Sequence, residues 1–71
     1  MDTRSRRESF GQEVRRLRKE RHLSQRALAD IASTNQSHLW SIEKGEVSVG
    51  LDVMCHIADA LGVPLQELIK F

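Results

Sequence analysis

SQRALADIASTNQSHLWSIEKG, the stretch from Ser24 to Gly45, decides the fold. Two short helical patterns meet within it across a tight turn. The first, Gln25 to Ile31, gathers Leu28 and Ala29 on one side, with Ala32 just beyond. The second, Gln36 to Lys44, gathers Leu39 and Ile42 on one side. Each helix so has one face to bury and one to leave in water. Ser24 is a good N-cap for the first helix and Asn35 for the second, because their side-chain oxygens accept backbone N–H groups left free by the opening turn. Ser33-Thr34 makes the turn between them, and Gly45 ends the second helix as a C-cap glycine. Two helices joined in this way form a helix-turn-helix.

Working outward, Phe10, Val14 and Leu17 recur at helical spacing ahead of this unit, with Arg15, Arg16, Lys19 and Arg21 mostly off that stripe. Ser9 followed by Gln12 is a capping-box pattern, which starts the first helix at Phe10. His22-Leu23 breaks it. Beyond Gly45, Glu46 to Val49 reads as a loop. Leu51, Met54, Cys55, Ile57, Ala58 and Leu61 then mark the apolar face of a fourth helix that Gly62 stops. Pro64 opens a last short helix, with Leu65, Leu68 and Ile69 as its apolar positions. The expected fold is all-α, five short helices around one core, with the helix-turn-helix in the second and third. Residues 9–71 form that domain. Residues 1–8, with Arg4, Arg6 and Arg7 and no apolar periodicity, are expected to be a flexible basic arm.

At 71 residues the chain is a single domain that buries only about 60% of its unfolded surface. One Cys forms no internal disulfide, no apolar run approaches the ~20 residues of a membrane span, and MDTRSRRES lacks the apolar centre of a secretory signal. A cytoplasmic protein with no membrane partner is expected. The net charge is only +1, but it is unevenly spread. Residues 1–42 carry nine Lys/Arg against five Asp/Glu, and residues 43–71 carry two against five. The positive half holds the helix-turn-helix.

The outward face of the third helix carries the chemistry. At about 100° per residue, Leu39 and Ile42 lie about 60° apart, while Gln36, Ser37, Trp40, Ser41 and Lys44 spread over about 140° on the opposite side. An amide, two hydroxyls, an ammonium and an indole suit base edges: a Gln amide pairs bidentately with adenine, and Ser donates or accepts. An ordinary solvated face would carry the same polar groups but would seldom expose a Trp. Trp40 is expected to meet a thymine methyl, a deoxyribose, another protein chain, or the first helix.

RRLRKER in the first helix, SQ-x-x-LA opening the second, SIEKG closing the third and HIADALGV closing the fourth resemble, as a set, the phage-repressor/Cro type of helix-turn-helix protein, the Xre family. The resemblance runs from Phe10 to Ile69. It implies a lambda-repressor-like DNA-binding domain that acts on double-stranded DNA as a homodimer, regulates transcription, and takes no cofactor, metal or small-molecule substrate. Gln25 matches a residue that anchors a phosphate through its amide and backbone N–H. Asn35, Gln36, Ser37 and Ser41 match base-reading positions, and Trp40 and Lys44 match the edge of that surface. Arg18 and Glu43 match an ion pair between the first helix and the end of the third, although Arg18 would serve equally as a phosphate contact. The sequence departs from the pattern at Ser33 and His22, where Gly is common, and at Trp40, Val49 and Gly50, where a small residue, Pro and Ser are usual. Without Gly, the left-handed backbone expected at Ser33 carries mild strain.

The remaining chemistry-bearing residues form no reactive set. Cys55 lies on the apolar face of its helix, and the adjacent His56 points about 100° away, so it does not serve as the base of a thiol nucleophile. His22, His38, His56 and Cys55 have no metal-ligand spacing. An enzyme is not expected. Arg4, Arg6 and Arg7 either follow DNA into the minor groove or keep a tail soluble. Ile69 and Phe71 are expected to stay exposed as a dimer contact, unless Phe71 folds back on the first helix. The function that emerges is a repressor or autoregulating controller on a pseudo-palindromic operator. The alternative is a protein-interaction module or antitoxin-like partner that uses Trp40 and the carboxy-terminal apolar residues against another protein.

Overall fold

The computed structural model describes residues 1–71 as four α-helices and one 3-10 turn: α1 (Thr3–Glu20), α2 (Gln25–Ile31), α3 (Gln36–Glu43), α4 (Leu51–Leu61) and the turn Leu65–Leu68. There is no strand. The sequence-based boundaries of α2, α3 and α4 agree to within a residue. Ser24 Oγ accepts the Ala27 N–H at 3.0 Å and Asn35 Oδ1 accepts the His38 N–H at 2.8 Å, which fixes the start of both helices of the motif. Gly50 caps α4 without a side-chain bond.

All four α-helices end in the same way. A left-handed residue closes each, following the cap at His22 (φ 55°), Ser33 (φ 58°) and Gly45 (φ 73°) and forming the cap itself at Gly62 (φ 73°). The next N–H then reaches back five residues: Leu23 to Arg18 O, Thr34 to Ala29 O, Glu46 to Ser41 O and Val63 to Ala58 O, at 2.9–3.1 Å. This is the Schellman arrangement, and it satisfies carbonyls that the helix end would leave unpaired. Two of the four left-handed positions carry a β-carbon, and those two lie at the ends of α1 and α2, where the chain enters the motif and turns within it.

One core of twelve residues sits at the centre: Phe10, Val14 and Leu17 from α1, Leu28, Ala29 and Ala32 around α2, Leu39 and Ile42 from α3, Ile57, Ala58 and Leu61 from α4, and Leu68. α1 packs chiefly on α3, α2 bridges α3 and α4, and the 3-10 turn closes against α4. Leu51, expected on the apolar face of α4, is exposed at the first residue of the helix, and Met54 and Cys55 are half-buried. The segment after Pro64 is a 3-10 turn with Pro64 as its extended cap rather than its first helical residue.

α1 starts seven residues earlier than the capping-box pattern at Ser9 indicates. Its N-cap is Asp2, whose carboxylate accepts the Ser5 N–H at 2.7 Å, and Ser9 lies within the helix. The segment Thr3–Glu8, expected as a flexible arm, is therefore helical. Tertiary contacts hold these polar turns: Arg7 Nε donates to Gly45 O at 3.1 Å, and the Arg6 guanidinium lies 5.9 Å from the Phe71 ring centroid. Gly11 allows the approach. A β-carbon there would stand 2.3 Å from Ile42 O and 2.6 Å from Glu43 O, so the α1 backbone rests directly on the end of α3.

Candidate nucleic-acid interface

α3 is held from beneath by Leu39 and Ile42, both fully buried, and this turns its opposite side to solvent. Gln36, Ser37, Trp40 and Ser41, together with Gln25 from α2, line an open groove of about 490 Å³. A second groove, of about 270 Å³, lies alongside and is lined by Arg15, Arg18, Gln25, Trp40, Glu43 and Lys44. Trp40 and Gln25 are common to both and form the wall between them. The Trp40 side chain is 47% exposed rather than packed away, and the Lys44 ammonium sits 4.6 Å from its ring centroid as a cation–π pair.

The ion pair Arg18–Glu43 is formed and buried. Arg18 Nε donates to Glu43 Oε2 at 2.7 Å and Nη2 donates to Oε1 at 3.0 Å, with the two side chains only 10% and 3% exposed. Arg18 Nη1 also donates to Leu23 O at 2.9 Å. One guanidinium thus ties α1 to the end of α3 and to the loop that enters α2. The geometry is bidentate, and no buried side-chain N or O atom is left without a partner.

Gln25 joins this network in a way the sequence reading missed. Its Nε2 donates to Glu43 Oε1 at 3.1 Å, so the amide nitrogen expected to anchor a phosphate is already engaged. The second N–H of that amide and its oxygen make no bond within the protein. Asn35 is committed in the opposite sense: its Oδ1 caps α3 and its amide NH2 stays free to donate. Gln36 has neither amide atom engaged within the protein, which leaves its donors and its acceptor open to solvent on the exposed side of α3. His38, on the flank of α3, pairs its Nδ1 with Thr34 Oγ1 at 3.0 Å.

The carboxy-terminal residues divide. Ile69, expected to be exposed, is half-buried against the core, because the extended backbone after Leu68 turns it inward. Phe71 is half-exposed and lines a small groove with Arg6, Phe10 and Met54 beside the opening turns of α1. No group of His, Cys, Asp and Glu could hold a metal ion, and no helix is long and apolar enough to cross a membrane.

This architecture defines a class. A helix-turn-helix domain family matches residues 9–70. The chain is 36% identical over 63 residues to the control protein C.BamHI of Bacillus amyloliquefaciens, covering 87% of this chain and 78% of that protein. It is 34% identical over 61 residues to the immunity repressor protein of Bacillus phage phi105, covering 86% of this chain but only 42% of the phage protein. Among solved structures, the restriction-modification controller protein C.AhdI from Aeromonas hydrophila superposes with a TM-score of 0.87 at 33% identity, over 89% of this chain and 96% of that one. The chain belongs to this helix-turn-helix domain family, whose members are sequence-specific DNA-binding regulators of the Xre/Cro type rather than enzymes.

Proposed function

We propose that this chain is a transcription controller that binds a pseudo-palindromic operator as a homodimer, with α3 of each protomer in the major groove. The observation that carries this reading is the α3 face: a buried apolar underside, and a solvent side on which Gln36, Ser37, Trp40 and Ser41 form one open groove. Asn35, Gln36, Ser37, Trp40 and Ser41 specify the bases, Gln36 through adenine and Asn35 through an acceptor on its base. Gln25 and Lys44 border this surface where the DNA backbone passes. The likeness to C.BamHI and C.AhdI over most of both chains supports a controller in particular. The exposed ring of Phe71 offers an apolar contact across a two-fold axis.

In vitro selection from a random duplex pool tests the proposal. The expected product is an inverted repeat with half-sites about one helical turn apart, bound by two protomers at least about 10³-fold more tightly than random DNA. Uniform weak binding that disappears with salt would contradict it.

A further inference from the structure

The groove beside the base-reading face has a charge that its neighbours do not cancel. Three cations line it, Arg15, Arg18 and Lys44, against one carboxylate, Glu43. That carboxylate is already bonded to Arg18 through both oxygens and to Gln25. Arg18 is buried and bonded to Glu43 and Leu23 O. Arg15 and Lys44 therefore supply the uncompensated charge. Lys44 is held over the indole of Trp40 at 4.6 Å. Arg15 is exposed and makes no hydrogen bond or ion pair within the protein.

Arg16, next along α1, is the opposite case. Its Nη2 lies 2.9 Å from Glu13 Oε1 and its Nη1 lies 2.6 Å from Glu20 Oε2. Adjacent helix residues point about 100° apart, so two identical side chains meet different surroundings: one is paired on its own helix, the other is free beside α3.

We infer that Arg15 is the clamp on the DNA backbone, and that it holds one phosphodiester, together with Lys44, in the groove across Trp40 from the base-reading face. A guanidinium fork matches two phosphate oxygens, and a free one loses no internal bond on binding. The indole then stands between the strand's phosphate and its base, where a deoxyribose passes. This inference rests on the operator reading above and adds the residue that supplies the salt-sensitive contact.

The test compares wild type, Arg15→Gln, Arg15→Lys and Arg16→Gln on the selected duplex and on a random duplex of equal length, across a series of salt concentrations. Arg15→Gln is expected to weaken binding to both duplexes by the same factor and to reduce the slope of log K against log[salt] by about 1 per protomer. Arg15→Lys is expected to keep most of that slope, and Arg16→Gln all of it. A methylphosphonate walked along the half-site is expected to find one position that weakens wild type and leaves Arg15→Gln unaffected. An unchanged slope in Arg15→Gln, or an equal fall in Arg16→Gln, would overturn the clamp while specific wild-type binding left the operator reading standing. Absence of specific binding by wild type would overturn both.

Discussion

Arg18 and Glu43 face each other across 25 residues of chain and meet through two hydrogen bonds, of 2.7 and 3.0 Å, in a nearly water-free position. Removing one partner would leave the other charge buried and unpaired, which costs about 3–5 kcal/mol. Glu43→Ala is expected to lose that much in denaturant unfolding, a large share of the stability of so small a domain. It also releases the amide of Gln25. Replacing both residues together, as Arg18→Met with Glu43→Leu, is expected to recover much of the loss, because no charge then remains buried without a partner.

Gly11 predicts a steric limit. A methyl group there meets backbone oxygens of Ile42 and Glu43, which cannot rotate aside. Gly11→Ala is expected to destabilise the fold by about 1–3 kcal/mol, although Ala is the better helix former. A melting temperature equal to or above that of wild type would mean that α1 and α3 are not in backbone contact.

Ser33 predicts a gain. Its φ of 58° places a β-carbon in the left-handed region, at a cost of roughly 1–2 kcal/mol. Glycine removes that strain but is more flexible when unfolded, so Ser33→Gly is expected to stabilise by about 0.5–1 kcal/mol. Ser33→Val at the same position is expected to destabilise, and the two melting temperatures side by side decide the point.

The opening of α1 should respond to acid. The Asp2 carboxyl is held below its ordinary value near 3.8, first by the Ser5 backbone N–H and then by the Ser5 hydroxyl, with Arg7 and Arg4 adding their charge. A carboxyl lowered in the folded state favours folding above its unfolded value, and that contribution is lost as pH falls through the lowered one. Amide exchange is expected to show residues 3–8 fraying as the solution is taken below about pH 4, with the turns from Phe10 to Leu17 still protected. Asp2→Asn retains the cap and is expected to remove the pH dependence.

The motif was legible because its signals are local. Ser24 and Asn35 cap within three residues of their own positions, and Leu28, Ala29, Leu39 and Ile42 mark the buried side without reference to the rest of the chain. The start of α1 was not legible, because Thr3–Glu8 has no apolar periodicity and its turns rest on Gly45 and Phe71, far away in sequence. Gln25 was matched to a phosphate contact by position alone. Its bond to Glu43 spans 18 residues and exists only once α2 and α3 have docked. Ile69 was expected to stay exposed as a dimer contact, yet it packs half-buried against the core after the chain leaves Leu68.

The most direct test of the central claim is the affinity of Gln36→Ala for the selected operator and for every single base-pair change within a half-site. Gln36 has both amide atoms free and stands on the open side of α3. Its loss is expected to weaken operator binding by about 1–3 kcal/mol and to erase discrimination at one base pair, leaving the others intact. An equal loss on every duplex, with discrimination unchanged at every position, would mean that α3 does not read bases through Gln36.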